Sequence, residues 1–131
     1  MIIVFTTLKM LTIAHLKQFS MESPPSEMLG RAPAVQEKYD SFMCKRENRG
    51  DFIATMKERI DRGVYYFTQN DFPYNTTADI EHWVCWYDNA NDPSKIICDI
   101  QKKNNVITYW KNHSANMSIQ EINHIHVFIQ K

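Results

Sequence analysis

Near the carboxyl end the chain reads His124-Ile125-His126-Val127-Phe128-Ile129, two histidines at i and i+2 inside a strand-like apolar run. Side chains alternate across a strand, so both imidazoles emerge on one face while Ile125, Val127 and Ile129 point to the other. Imidazoles at that spacing stand about 7 Å apart. A neutral imidazole, with an unperturbed pKa of about 6.5, is a nucleophile or base near neutral pH and a common metal ligand. The pair therefore suits phosphate chemistry, with His124 and His126 as the catalytic candidates, or a metal. In the metal reading His82, His124 and His126 supply three nitrogens to zinc and water the fourth ligand, which requires the strand carrying His82 to lie beside the last one. A third reading carries no chemistry: two hydrogen-bonded histidines on a strand surface.

Other polar residues are candidates for binding a substrate, each with a structural role as its alternative. His82 alternates with Val84 and Trp86 and is either a site residue or a satisfied core histidine. Asp71, within Asn70-Asp71-Phe72-Pro73, suits a ribose hydroxyl or simply caps a turn. Asn112 and Ser118 bracket a polar loop ahead of the histidine strand. Arg31, in Leu29-Gly30-Arg31, pins a helix end or reaches a phosphate bidentately. Trp83, Trp86, Tyr87, Tyr109 and Trp110 are sheet core or a stacking surface for a base. His15 and His113 read as surface residues.

The elements that must position these groups follow from periodicity. Leu8, Leu11, Ile13, Ala14, Leu16 and Phe19 recur at mostly helical spacing and predict an amphipathic helix from Thr7 to Phe19, ended by Ser23-Pro24-Pro25. Pro33 opens a second helix through Val35, Tyr39 and Phe42 to about Cys44. A third runs from Asp51, as N-cap, to Asp61, with Phe52, Ile53, Met56 and Ile60 as its packing stripe and Gly63 closing it. From there the pattern turns to strand: Val64 to Thr68, then Asp79 to Tyr87 with both faces apolar. Asp92-Pro93-Ser94 supplies an N-cap and an N1 proline for a helix to about Asn104, with a strand over Lys95 to Ile100 as the alternative. Val106 to Trp110 is a further strand, and the histidine strand closes the chain. The layout is α+β, with N-terminal helices followed by a β-β-α-β-β antiparallel sheet.

At 131 residues the chain fits a single domain, 1–131, with room for a hydrophobic core. Fifteen basic and fifteen acidic side chains give a formal charge of zero, which argues against duplex nucleic acid as a partner and leaves room for a small anion. Cys44, Cys85 and Cys98 form no CxxC pair and read as reduced thiols in a cytoplasmic protein. The apolar start, Met1 to Phe5, is short and is followed by Lys9, His15 and Lys17, so neither a membrane span nor a signal peptide is expected. The Asn-x-Ser/Thr triplets at Asn75, Asn112 and Asn116 are therefore read as chance.

Several motifs together resemble a known family. Phe19-Ser20 through Pro24-Pro25, Leu29-Gly30-Arg31, Tyr39, Asn70-Asp71-Phe72-Pro73-Tyr74, Ile80-Glu81-His82-Trp83 and His124-Ile125-His126-Val127 resemble the uncharacterised family that includes fungal N-acetylglucosamine-induced proteins, from roughly Leu11 to the end. A more distant resemblance is to the histidine triad superfamily of nucleotide hydrolases and transferases, carried by Asn112, the loop through Ser118, His124-Ile125-His126, and Asn70-Asp71-Phe72-Pro73 followed by His82. That resemblance implies a nucleotide or sugar-nucleotide phosphate as ligand. His124 would attack the α-phosphorus while His126, His82 and polar groups of Asn112 or Ser118 hold phosphate oxygens. Ile122 stands where the first histidine of the triad would be, and His113-Ser114-Ala115-Asn116-Met117 replaces the glycine-rich phosphate loop. These departures support a second hypothesis, a non-enzymatic binding or assembly module with a degraded pocket, associating as a homo-oligomer through an apolar surface built from the Met1 to Phe19 segment.

Overall fold

Structure is described here for residues 10–19, 21–22, 29–112 and 119–131 of a computed structural model. In chain order the elements are α1 (Ile13–Leu16), β1 (Met21–Glu22), α2 (Pro33–Met43), α3 (Arg46–Asp61), β2 (Tyr65–Gln69), β3 (Ile80–Tyr87), α4 (Pro93–Lys103), β4 (Val106–Lys111) and β5 (Asn123–Gln130). The class is α+β, with the β-β-α-β-β order that periodicity predicts. One sheet runs β1-β4-β5-β3-β2. Its four long strands are antiparallel neighbours, and the two-residue β1, absent from the sequence reading, adds in parallel to β4.

The local signals act where they are strongest. Asp92 caps α4, its Oδ1 accepting from Ser94 N–H at 2.9 Å, Pro93 takes the first helical position, and Lys102 and Lys103 occupy the last turn. The helix lays Ile96, Ile97 and Ile100 against one face of the sheet, where Cys85, Tyr87, Ile125, Val127 and Ile129 complete a core. Cys85 is fully buried there and burial pushes its thiol up to about 12, whereas Cys44 and Cys98 are exposed; all three are free thiols.

Two helices differ from their predicted bounds. The first is only the four-residue α1, because a capping box at Thr12 starts it late: Thr12 Oγ1 accepts from His15 N–H, and His15 Nδ1 accepts from Thr12 N–H, each at 3.2 Å. His15 is thus a capping residue. Leu11, just outside the helix, makes a bridge to Thr76 and is buried with Leu16, so neither contributes to an external apolar surface. Residues 1–9 of the expected assembly segment lie outside the described residues. The helix α3 begins at Arg46, five positions ahead of Asp51, which is therefore interior. The stretch from Arg46 to Gly50 carries no apolar stripe for periodicity to detect, yet its arginines and glutamate propagate a helix readily.

The other face of the sheet, which bears the histidines, carries two separate clusters. Leu11, Leu16, Tyr74, Ile80, Trp110 and Phe128 form one; Met56, Ile60, Val84, Trp86, Ile119 and Ile122 form the other, beneath α3. No residue of α2 is buried. Its apolar side chains Tyr39, Phe42 and Met43 instead line a cavity between these layers. Among the described residues no helix is long and apolar enough to cross a membrane.

Two substitutions test the helix assignments. Gly50 is exposed inside α3 and a Cβ there meets nothing within 4 Å, so Gly50→Ala should stabilise the fold by roughly 0.5–1 kcal/mol. Asp92→Ala should cost about 1 kcal/mol through loss of the α4 cap. Urea unfolding reads both, as opposite shifts of the midpoint.

Candidate functional site

Strand pairing decides which histidines meet. On β5, His124 lies opposite Trp86 of β3, His126 opposite Val84, and Phe128 opposite His82. His82 and His126 are therefore diagonal neighbours on one face of adjacent strands, a separation that two imidazole rings can span. They do so: His82 Nε2 and His126 Nδ1 are 2.8 Å apart. From the other side Trp110 of β4 pairs with His126, and Asn112, two residues on, reaches the same face. His82, Asn112, His124 and His126 are all buried, each at most 6% exposed.

Fixed backbone and indole donors assign the proton positions. Tyr74 N–H donates to His82 Nδ1 at 3.1 Å, so the neutral His82 carries its proton on Nε2 and donates it to His126 Nδ1. His126 is left with its proton on Nε2. From the opposite end Trp110 Nε1–H donates to Asn112 Oδ1 at 2.8 Å, which turns the amide so that Nδ2 donates to Tyr74 Oη at 2.8 Å and lies 3.1 Å from His126 Nε2. Two hydrogen-bond polarities thus run toward each other and meet at that contact. His124 is set separately. Its Nδ1–H donates to the Ile122 carbonyl at 3.2 Å, leaving the lone pair on Nε2 of a ring packed 4.6 Å from Trp86.

The cavity, about 420 Å³, opens over this floor. His124, His126 and Asn112 line it, as does Asp71 on the β2–β3 turn, which Asn70 shapes by accepting Phe72 N–H at 2.8 Å. His82 is not among the lining residues: it is buried with both ring nitrogens engaged, in contact with His126, Tyr74 and Asn70, which do line the cavity. The three imidazoles accordingly do not converge as one ligand set. Among the described residues no group of three or more His, Cys, Asp or Glu side chains is arranged to hold a metal ion. Ser118 and His113 lie outside the described residues.

Two contributors carry weaker sequence signals. Tyr74, buried, stacks on His126 with centroids 5.4 Å apart and on His82 at 4.7 Å, while its backbone orients the histidine chain. Only its place in the Asn70–Tyr74 motif marked it. Arg31 pins no helix end: its Nε donates to the Phe72 carbonyl at 2.7 Å and its guanidinium covers the Tyr39 ring at 3.9 Å, inside the cavity lining. Of the sheet tryptophans and tyrosines read as a stacking surface, Trp86 reaches the cavity. Trp110 is fully buried, and Trp83, Tyr87 and Tyr109 belong to the α4 face.

Burial is the main cause of the histidines' electrostatics. It drives His82 down to about 3, assisted by the Arg31 charge, and holds His126 well below and His124 below the ordinary imidazole range. All three are neutral at pH 7. Because the unfolded chain titrates near pH 6.5 and the folded one lower, unfolding takes up protons below that pH. Stability should be full above about pH 6.5 and fall as the pH drops toward the folded values, with His82 contributing about 1.4 kcal/mol per pH unit and His124 and His126 adding in the same direction. Urea midpoints between pH 7.5 and 4.5 measure this, and a flat profile would contradict the neutral, buried state of the three rings.

No family model matches the chain, and no curated protein does. Among solved structures it is similar to the crystal structure of HTC1, with a TM-score of 0.55 and 17% identity over 79% of this chain and 76% of that one. At that identity the likeness is one of fold alone.

Proposed function

We propose that the protein binds a nucleotide or sugar-nucleotide phosphate in the cavity and transfers or hydrolyses it through a histidine nucleophile, His124, in the manner of the histidine triad superfamily it resembles. The observation that carries the reading is the tautomer of His124. With Nδ1–H held by the Ile122 carbonyl, Nε2 keeps a lone pair without needing a base to remove a proton, and the low pKa keeps it available at neutral pH. Attack forms an N–P bond and breaks the P–O bond to the leaving group, which departs with the electron pair and takes a proton from water. The imidazolium so formed is stabilised through Nδ1–H by the same carbonyl. Water then cleaves the N–P bond and restores the neutral ring.

His126 has the complementary role. Its proton is on Nε2, so it is a donor and not a second nucleophile. A phosphate oxygen beside Nε2 and Asn112 Nδ2 accepts from both and relieves the meeting of two donors across 3.1 Å. Arg31 adds a positive charge, and the cavity walls offer aromatic rings to a base or sugar. Asp71, exposed in the cavity lining, is the carboxylate that would accept from a sugar hydroxyl.

A second reading, a binding module without turnover, draws on the same walls: Phe42, Phe52, Phe72 and Trp86 form a continuous belt with successive ring centroids 5.3 to 6.3 Å apart, which suits retention of a planar ligand as well as its reaction. The two separate cleanly. Titration calorimetry with nucleoside mono- and diphosphates and nucleotide sugars should show binding, and intact-mass spectrometry at neutral pH should show a nucleotidyl adduct. His124→Ala should abolish the adduct and lower turnover by about a thousandfold or more while leaving affinity within a few fold. Binding with no adduct and no turnover selects the module, and the absence of binding across the panel rejects both.

A further inference from the structure

Besides the histidines, the cavity has two cations on different walls, and neither is paired with an acid among the described residues. Arg31 stands just ahead of α2; Arg59 is in the last turn of α3. Neither has an ion-pair partner among the described residues, and the neighbouring Glu58 is taken by Arg62. Each guanidinium lies over a tyrosine ring that also lines the cavity, Arg31 over Tyr39 at 3.9 Å and Arg59 over Tyr66 at 5.1 Å. Stacking engages the flat face of a guanidinium and leaves its in-plane N–H groups directed outward, so a stacked arginine is held in place yet still free to bind an anion edge-on. On Arg31 the Nε–H is taken by Phe72, which leaves the two terminal nitrogens. Asp71 is the one carboxylate among the described lining residues, against these two arginines.

We infer that the site reads anionic charge at two separate points, with Arg59 as a specificity-determining residue for the second one. The inference rests on the reading of the cavity as a phosphate site. The charge at the histidine floor and Arg31 is the one every phosphorylated ligand brings. Arg59 comes from α3, over Tyr66, whereas Arg31 precedes α2 and stacks on Tyr39, and Arg59 answers only a ligand that carries a further phosphate or carboxylate. The preferred ligand class is therefore a diphosphate, such as a nucleoside diphosphate or the diphosphate linkage of a sugar nucleotide, over a nucleoside monophosphate. Arg59 is exposed and part of no core cluster, so replacing it leaves the fold intact.

Calorimetry on the full chain with AMP, ADP, UMP and UDP tests this, with circular dichroism as the check on folding. The wild type should prefer each diphosphate to its monophosphate by about tenfold, the value of one charge-assisted contact. Arg59→Gln should erase that preference by weakening the diphosphates alone, whereas Arg31→Gln should weaken all four. Equal affinities for the mono- and diphosphates in the wild type, or an unchanged ratio in Arg59→Gln, overturns the two-point inference and leaves the phosphate site standing. If none of the four binds, the phosphate reading falls and this inference with it.

Discussion

One N–H···N bond across two strands, from His82 Nε2 to His126 Nδ1, determines what the cavity floor can do. Tyr74 N–H fixes the proton on the far nitrogen of His82, His82 therefore donates, and His126 therefore shows a proton and not a lone pair to its remaining neighbour. Because hydrogen bonds are directional and a neutral imidazole has one donor and one acceptor, a backbone amide two rings away sets the chemistry of a group at the cavity. His124, outside this chain and tied to the Ile122 carbonyl, has the opposite polarity. Two histidines of the same strand and the same face thus present opposite polarities, a ring N–H at His126 and a ring lone pair at His124.

Burying uncharged imidazoles is what makes this arrangement durable. Desolvation favours the neutral form, and the positive charge of Arg31 adds to that preference at His82 and His126. The polar floor is also largely paired: Trp110 bonds Asn112, Asn112 bonds Tyr74 and His82 bonds His126, which offsets most of its burial cost and leaves the meeting of donors between Asn112 and His126 as the exception. Phe128 and Tyr74 stack against the pair from the apolar side and restrain the ring planes.

Much of this was legible in the sequence wherever the cause is local. Alternation placed His124 and His126 on one face and the isoleucines on the other, and the cap and proline at Asp92-Pro93 marked α4 in the right place. The bounds of α1 and α3 were less legible, since a four-residue capped helix imitates part of a longer apolar pattern and a charged helical turn has no stripe at all. Least legible was the cavity wall. Tyr39, Phe42 and Met43 recur at helical spacing whether the stripe is packed into a core or left facing a hollow, and periodicity has no means of telling those apart.

By itself, then, the sequence determined the element types, the α+β class and the face on which each histidine emerges, because these depend on residues a few positions apart. Only the tertiary structure decided that β3 lies beside β5 in the register that brings His82 to His126, that a main-chain N–H of Tyr74 orients both, and that Arg31, from the segment ahead of α2, and Arg59, from α3, arrive at one cavity. Proton positions and charge placement depend on distances between groups far apart in the chain, and those distances exist only once the strands have paired and the helices have closed over them.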